Sequence, residues 1–283
     1  AIQAAVALLS VTGQRLFLVG QMTRSTRAVD YQDLPRPIAA MADEYSAGHR
    51  GPYHAHRRSQ LLYGSTGVLR VATPDGTWVA PANQAIWIPG GIMHQVICHG
   101  AVSFRTLYIE PDASDLLPNA CRVLDVSNLL RALILESVSL PLEYNVEGRE
   151  GRVMALIIDE ICRMPARPMH IPMPQSPRLR RICEAFLIDP ASRDDIDEWA
   201  TRAGLSRRTF TRLFRLETNM SVGTWKKQAR LIEAVTRIAS GASITSVAFD
   251  IGYESSSAFS AMFRQSLGTS PSAFSGRRDE RLP

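Results

Sequence analysis

The sequence predicts an α+β multidomain fold: an amino-terminal β-barrel with a helical segment beside it, followed by an all-α domain with two helix-turn-helix units. Three observations lead to this fold class. Alternating apolar residues and turn dipeptides fill residues 47–110, which is typical of short antiparallel strands. Apolar residues then recur at helical spacing from residue 116 onward, and one helix–glycine–helix pattern occurs twice near the carboxyl end.

The composition favours a globular chain with a locally basic surface. The 283 residues are 45% hydrophobic and 21% charged, which is ordinary for soluble domains and excludes a disordered or fibrous class. Residues 1–174 contain 15 basic and 15 acidic side chains, whereas residues 175–283 contain 17 and 12. The net charge of +5 therefore lies in the last part of the chain.

The cysteines and the first residues indicate the cellular compartment in which the protein is expected. Four cysteines lie far apart without CxxC spacing, which favours reduced thiols in the cytoplasm over a disulfide framework. Residues 1–21 are apolar, but they lack a basic start and are interrupted by Gln14 and Arg15. This pattern predicts neither an export signal nor a membrane span.

The repeated pattern can be aligned residue by residue. The matching pairs are Ile196 with Ile244, Trp199 with Val247, Ala200 with Ala248, Ala203 with Ile251, Gly204 with Gly252, Phe210 with Phe259, Leu213 with Met262, and Phe214 with Phe263. In each copy the apolar residues form one face of two short helices, and the glycine allows the left-handed turn between them. Ser206 and Ser255 are expected to cap the second helices.

The second helix of the first copy predicts contact with double-stranded DNA. When its apolar residues face inward, five polar side chains lie on or near the outside: Arg207, Arg208, Thr211, Arg212 and Arg215. Such a face suits phosphates and guanine edges. A helical stretch over residues 222–238 can hold the two second helices in successive major grooves, about 34 Å apart. The alternative is a helical scaffold whose arginines are merely solvated.

Histidines in the strand-rich region form a second candidate site. His54, His56 and Gln60 share one face of an extended segment because side chains alternate along a strand. His94 follows Pro89-Gly90-Gly91 and comes from a later strand.

These segments resemble the two motifs of the cupin family, GPYHAHRRSQLLYGSTG (51–67) and PGGIMH (89–94). The resemblance implies metal ligands at His54, His56 and His94, with Gln60 where cupins usually have glutamate. A neutral amide compensates less charge than a carboxylate, but three imidazoles can hold zinc, nickel or iron. The alternative is a pocket for an unknown organic effector without metal.

Two further segments connect these regions. Residues 121–138 and 147–164 each carry an apolar stripe, so they either cover the barrel or pair with a second subunit. Residues 166–177 contain four prolines, which predicts an extended linker and a domain boundary.

The carboxyl-terminal part resembles the DNA-binding domain of AraC/XylS-type transcriptional regulators. Beyond the doubled motif, SVGTWKKQARLIEA (221–234) resembles the start of the family's linker helix, and FSAMFRQSLGTSPSAF (259–274) resembles its closing signature. The resemblance implies base-reading roles for Arg208, Thr211 and Arg212 in the first recognition helix. In the second helix it implies contacts from Ser256, Ser257, Ser260 and Arg264.

This resemblance also implies the partners and the organisation of the chain. We expect a cytoplasmic homodimer that regulates transcription, binds double-stranded DNA and a small-molecule or metal effector, acts on RNA polymerase and makes no membrane contact. The expected parts are a disordered extension (1–23), a cupin-like sensory barrel (24–115), a helical dimerisation segment (116–165), a linker (166–177), the DNA-binding domain (178–276) and a tail (277–283).

A competing hypothesis is a metal-dependent cupin enzyme fused to a DNA-binding module. It rests on the histidine constellation, but no further acid, base or nucleophile is identifiable near it, and Glu110 and Asp112 lie beyond the strands. We therefore assign no catalytic residue and expect no enzyme.

Overall fold

The computed structural model describes residues 25–276, so the expected extension and tail lie outside the described residues. Ten strands occur within this range, and all of their pairings are antiparallel. In chain order they are β1 (Ile38–Tyr45), β2 (Ser59–Gly64), β3 (Val68–Thr73), β4 (Gly76–Pro81), β5 (Gln84–Ile88), β6 (Gln95–His99), β7 (Val102–Ile109), β8 (Arg122–Asp125), β9 (Ala166–Arg167) and β10 (His170–Pro172).

These strands form a six-stranded sheet in the order β1-β7-β2-β5-β8-β9 and a four-stranded sheet in the order β10-β4-β3-β6. Side chains alternate between two cores, as a period of two requires: Met41 and Leu62 lie in one cluster, and Ala40 and Leu61 in the other. The first cluster also contains Val71 from the four-stranded sheet, so the two sheets enclose a common interior. The predicted antiparallel β-domain is confirmed.

The helices within residues 25–276 follow the predicted order. They are α1 (Asn128–Ser137), α2 (Arg149–Arg163), α3 (Pro177–Ile188), α4 (Ile196–Ala203), α5 (Arg207–Thr218), α6 (Val222–Ala239), α7 (Ile244–Asp250), α8 (Ser256–Leu267) and α9 (Pro271–Gly276). None of them combines the length and the apolar character needed to cross a membrane.

Helices α1 and α2 cover the outer face of the six-stranded sheet. Ile134 of α1 and Ile157 of α2 are fully buried and share a core with Trp87 and Leu107 of the sheet. The opposite side of these helices leaves Leu129 and Leu156 exposed. The buried apolar residues of α1 and α2 therefore cover the barrel, and their outer face is open to solvent.

The proline-rich segment contributes to both sheets. Its first part, β9, pairs with β8, and β10 pairs with β4 beside Trp78. Helix α6 packs against β10 and β4, so residues 166–177 lie between the barrel and the carboxyl-terminal helices. One apolar cluster runs from the barrel interior into these helices.

Candidate nucleic-acid interface and histidine site

The first helix-turn-helix unit is built by helices α4 and α5. Asp195 caps α4 in a capping box with Glu198, and Gly204 ends the helix with φ +65°, in the left-handed region that favours glycine. The hydroxyl of Ser206 then accepts from the backbone N–H of Thr209 and caps α5. The predicted glycine turn and serine cap are confirmed.

An aromatic cluster fixes α5 against its neighbours. Phe210 and Phe214 are almost completely buried, and both contact the ring of Trp199 from α4. Because these two residues lie one turn apart and face inward, the opposite face of α5 must point to solvent. Arg207, Arg208, Thr211, Arg212 and Arg215 are all exposed.

The arginines of this face differ in their partners. Arg207 forms an ion pair with Asp197 at 2.9 Å, and Thr211 donates its hydroxyl proton to the carbonyl oxygen of Arg207. Within residues 25–276, no carboxylate lies within 4.0 Å of the guanidinium of Arg208, Arg212 or Arg215. These three cations are the ones left free for phosphate or base-edge contacts.

The second unit repeats this construction with smaller side chains. Ser255 caps α8 by accepting from the N–H of Ala258 at 3.1 Å, and Phe259 and Phe263 are fully buried. Of the residues predicted to contact DNA, Ser257 and Arg264 are exposed, whereas Ser256 and Ser260 are half-buried.

The histidine site is assembled by backbone pairing between two segments. His54 and His94 exchange two N–H···O=C bonds, of 3.0 and 2.9 Å, and Gly91 donates to the carbonyl oxygen of His56. A Cβ atom at Gly90 would lie 2.1 Å from the carbonyl oxygen of Arg57. Glycine at that position therefore allows the two segments to approach each other.

The structure brings the three predicted imidazoles together. One ligand atom from each of His54, His56 and His94 lies within 4.8 Å of the others. Each Nδ1 atom is next to a backbone carbonyl oxygen: that of Pro52 (3.1 Å), Arg58 (2.7 Å) or Ile92 (2.8 Å). A proton on Nδ1 donated to that oxygen leaves Nε2 as the atom with a free lone pair, which is how protein imidazoles are oriented for a metal.

Gln60 lies beside the same site. Its amide donates to the Thr106 hydroxyl at 3.0 Å, and its Oε1 is 3.1 Å from Nε2 of His56. Burial lowers the pKa of His56, so this ring is neutral at pH 7 and has one N–H to donate. If the Nδ1–H of His56 donates to the carbonyl oxygen of Arg58, the lone pair of His56 Nε2 faces the lone pair of Gln60 Oε1. A cation between these two atoms would remove their repulsion.

His94 is the most buried ligand candidate. Its side chain is fully buried, and burial lowers its pKa to about 4. Its Nε2 has no hydrogen-bond partner within the described part of the chain. A buried lone pair such as that of His94 Nε2 costs free energy unless a donor or a cation binds it. The three imidazoles therefore fit a divalent cation.

Comparisons with known proteins identify both halves of the chain. A family model described as an AraC-like ligand binding domain matches residues 39–160, and one described as a helix-turn-helix domain matches residues 199–277. Over 242 residues the chain is 32% identical to the HTH-type transcriptional regulator NimR of Escherichia coli (strain K12), covering 85% of this chain and 86% of that protein. The chain belongs to the AraC family of transcriptional regulators.

Two other similarities are partial or distant. Over 103 residues the chain is 30% identical to the regulator RipA of Corynebacterium glutamicum, which covers 36% of this chain and 31% of that protein. A structure of ToxT from Vibrio cholerae aligns with a TM-score of 0.37 and 9% identity, covering 86% of this chain and 99% of that one. As an AraC-family protein, the chain is a DNA-binding transcriptional regulator with an amino-terminal ligand-binding domain.

Sequence reasoning missed several residues around the histidine site of this AraC-family regulator. The ring of Tyr108 stands edge-on to His56, with centroids 5.3 Å apart. Arg58 is fully buried, pairs with Glu110 at 2.8 Å and donates to the carbonyl oxygens of Gln32 and Leu34. Only the register of β2 against β7 reveals the tyrosine, because it lies far from the histidines in sequence.

Proposed function

We propose that this AraC-family regulator binds double-stranded DNA with α5 and α8 in successive major grooves. The observation that carries the proposal is the exposed arginine face of α5 (Arg208, Arg212, Arg215), which forms no ion pair within residues 25–276, together with the corresponding exposed face of α8. Helix α6 connects the two units over 18 residues, which corresponds to about 27 Å of rigid helix. That length suits two grooves on one side of the duplex.

The two recognition helices are proposed to have different roles. Arg207, Arg208, Thr211 and Arg212 of α5 read bases or hold phosphates, and Ser256, Ser257, Ser260 and Arg264 of α8 contribute mainly phosphate and shape contacts. The long guanidinium groups can form two hydrogen bonds to guanine, whereas serine hydroxyls distinguish bases poorly. Sequence preference then comes mostly from α5.

The amino-terminal domain is proposed to sense the effector and to dimerise. A divalent metal (zinc, nickel or iron) fits His54, His56 and His94, with Gln60 as a further oxygen ligand. The exposed Leu129 and Leu156 support a homodimer through α1 and α2. Two such chains on paired sites in the cytoplasm would recruit or obstruct RNA polymerase.

One observation disfavours the enzyme hypothesis. An isomerising cupin needs an acid or base to move a proton, and Glu110 is a carboxylate considered for that role from the sequence. Its carboxylate is bound by both Arg57 and Arg58, and the hydrogen bond from Arg57 lowers its pKa. A carboxylate held in this way is a weak proton acceptor.

The proposal is tested by the affinity of the full chain for DNA selected from a random pool. We expect site-specific binding that weakens steeply with salt, because phosphate contacts release counterions. We also expect a chelator, or the double substitution His56→Ala with His94→Ala, to change this affinity. His99→Ala is the matched control, since it removes a half-buried imidazole that lies outside the cluster. Absence of salt-sensitive, site-specific binding would overturn the proposal.

A further inference from the structure

Ala261 on α8 occupies the position that Arg212 occupies on α5. Each residue lies two positions after the first buried phenylalanine of its helix, Phe210 in α5 and Phe259 in α8. Each helix begins with a serine cap and places its second phenylalanine one turn later. Ala261 is therefore presented to the outside in the same way as Arg212, and both are exposed.

The surface around Ala261 is made of small side chains. Ser257 lies one turn before it and Arg264 about one turn after it, and both are exposed. The outer face of α8 therefore presents the hydroxyl of Ser257 and the methyl group of Ala261 where α5 presents two guanidinium groups. Near the end of α8, Arg264 supplies one cation. Short side chains let the helix backbone approach the base edges more closely than α5 can.

A methyl group on an exposed recognition face has one specific counterpart in the major groove. Thymine alone among the four standard bases carries a C5-methyl group there, and alanine is one of the residues that contact it. We propose that Ala261 contacts the C5-methyl group of a thymine in the second groove of each half-site. The inference rests on the proposed function, because it requires α8 to enter a major groove.

This assignment changes the role of the second unit. The serines of α8 distinguish bases poorly, so hydroxyl contacts alone would leave the second groove without a preferred base. An apolar contact with one thymine adds a preference for an A·T pair at that position. Burying one methyl group changes affinity by about fourfold, smaller than the effect expected for a guanidinium fork on guanine.

The test begins with sites that the wild-type full chain selects from a random DNA pool. Each thymine of the selected site is then replaced singly by uracil, which removes the methyl group and keeps the hydrogen-bonding atoms. We expect one uracil substitution, about one helical turn from the guanine contacted by α5, to weaken binding about fourfold. The scan uses the wild-type protein, so it stays decisive even if a variant fails to fold.

Two variants sharpen the experiment. Ala261→Arg, which copies the residue of α5, is expected to abolish the sensitivity to uracil and to favour guanine at that position. Ala47→Arg is the matched control, because it adds the same charge at an exposed alanine in the turn after β1, in the other domain. It should retain the wild-type response to uracil.

The possible failures are distinguishable. Loss of all site-specific binding by the wild type would overturn the proposed function itself. Normal site-specific binding with equal affinity for every uracil duplex, or a selected second groove without thymine, would overturn only the role of Ala261.

Discussion

The indole nitrogen of Trp225 donates a hydrogen bond of 2.7 Å to the carbonyl oxygen of Pro172. This bond joins the first turn of α6 to β10, so it links the DNA-binding helices to a sheet of the barrel. Trp199 lies beside Trp225, with ring centroids 6.1 Å apart, but its own indole nitrogen has no partner within residues 25–276. The two buried tryptophans therefore differ in one hydrogen bond.

Trp225→Phe is expected to destabilise the protein more than Trp199→Phe. Both substitutions remove similar volume from one aromatic cluster, but the first also leaves a carbonyl oxygen without its donor. We expect about 1 kcal/mol of additional loss in the free energy of unfolding for Trp225→Phe. Denaturant unfolding of both variants measures the difference, and equal losses would show that the bond between the domains does not stabilise the fold.

The stability of the metal-free protein should decrease as the solution becomes acidic. Burial lowers the pKa of both His94 and His99 to about 4. The unfolded chain takes up these protons near pH 6.5, whereas the folded chain does so only near pH 4. The free energy of unfolding should thus fall as the pH drops from about 6.5 to about 4.

Unfolding measured with a chelator at several pH values checks this prediction. Replacing His94 and His99 with glutamine should flatten the decrease in that interval. A variant with the same pH dependence as the wild type would contradict it.

Metal content gives a direct test of the histidine site. His54→Ala combined with His94→Ala should remove nearly all bound zinc, nickel or iron, because a single imidazole and an amide oxygen hold such ions weakly. His99→Ala should leave the metal content unchanged. Elemental analysis of gently purified protein measures both, and a wild type without stoichiometric metal would favour a pocket for an organic effector.

The sequence predicted the doubled helical units well because their signals are local. The spacing of Trp199, Gly204, Phe210 and Phe214 defines two helices, the turn between them and the buried face. The histidines could be grouped from their motifs for the same reason. Their exact partners could not, because the positions of Thr106 and Tyr108 depend on how β7 pairs with β2.

The second recognition helix shows another limit of sequence reasoning. The serines of α8 were predicted to contact DNA, but Ser256 and Ser260 are half-buried. Ala261 has no polar group and gave no chemical signal, yet it is exposed. The burial of Phe259 and Phe263 confirms the orientation of α8 that places Ala261 on the outside.

We propose that α5 is the principal reader of the DNA sequence, and a binding titration of two variants tests this proposal. Arg212→Ala should lower affinity for the selected site by roughly tenfold to a hundredfold and relax the preference at one base pair, since a guanidinium fork on guanine contributes about 1–3 kcal/mol of discrimination. Ser256→Ala should cost well under 1 kcal/mol. The titration is repeated on single-base substitutions of the site. If the serine variant loses more base discrimination than the arginine variant, α8 is the principal reader and the assignment to α5 is wrong.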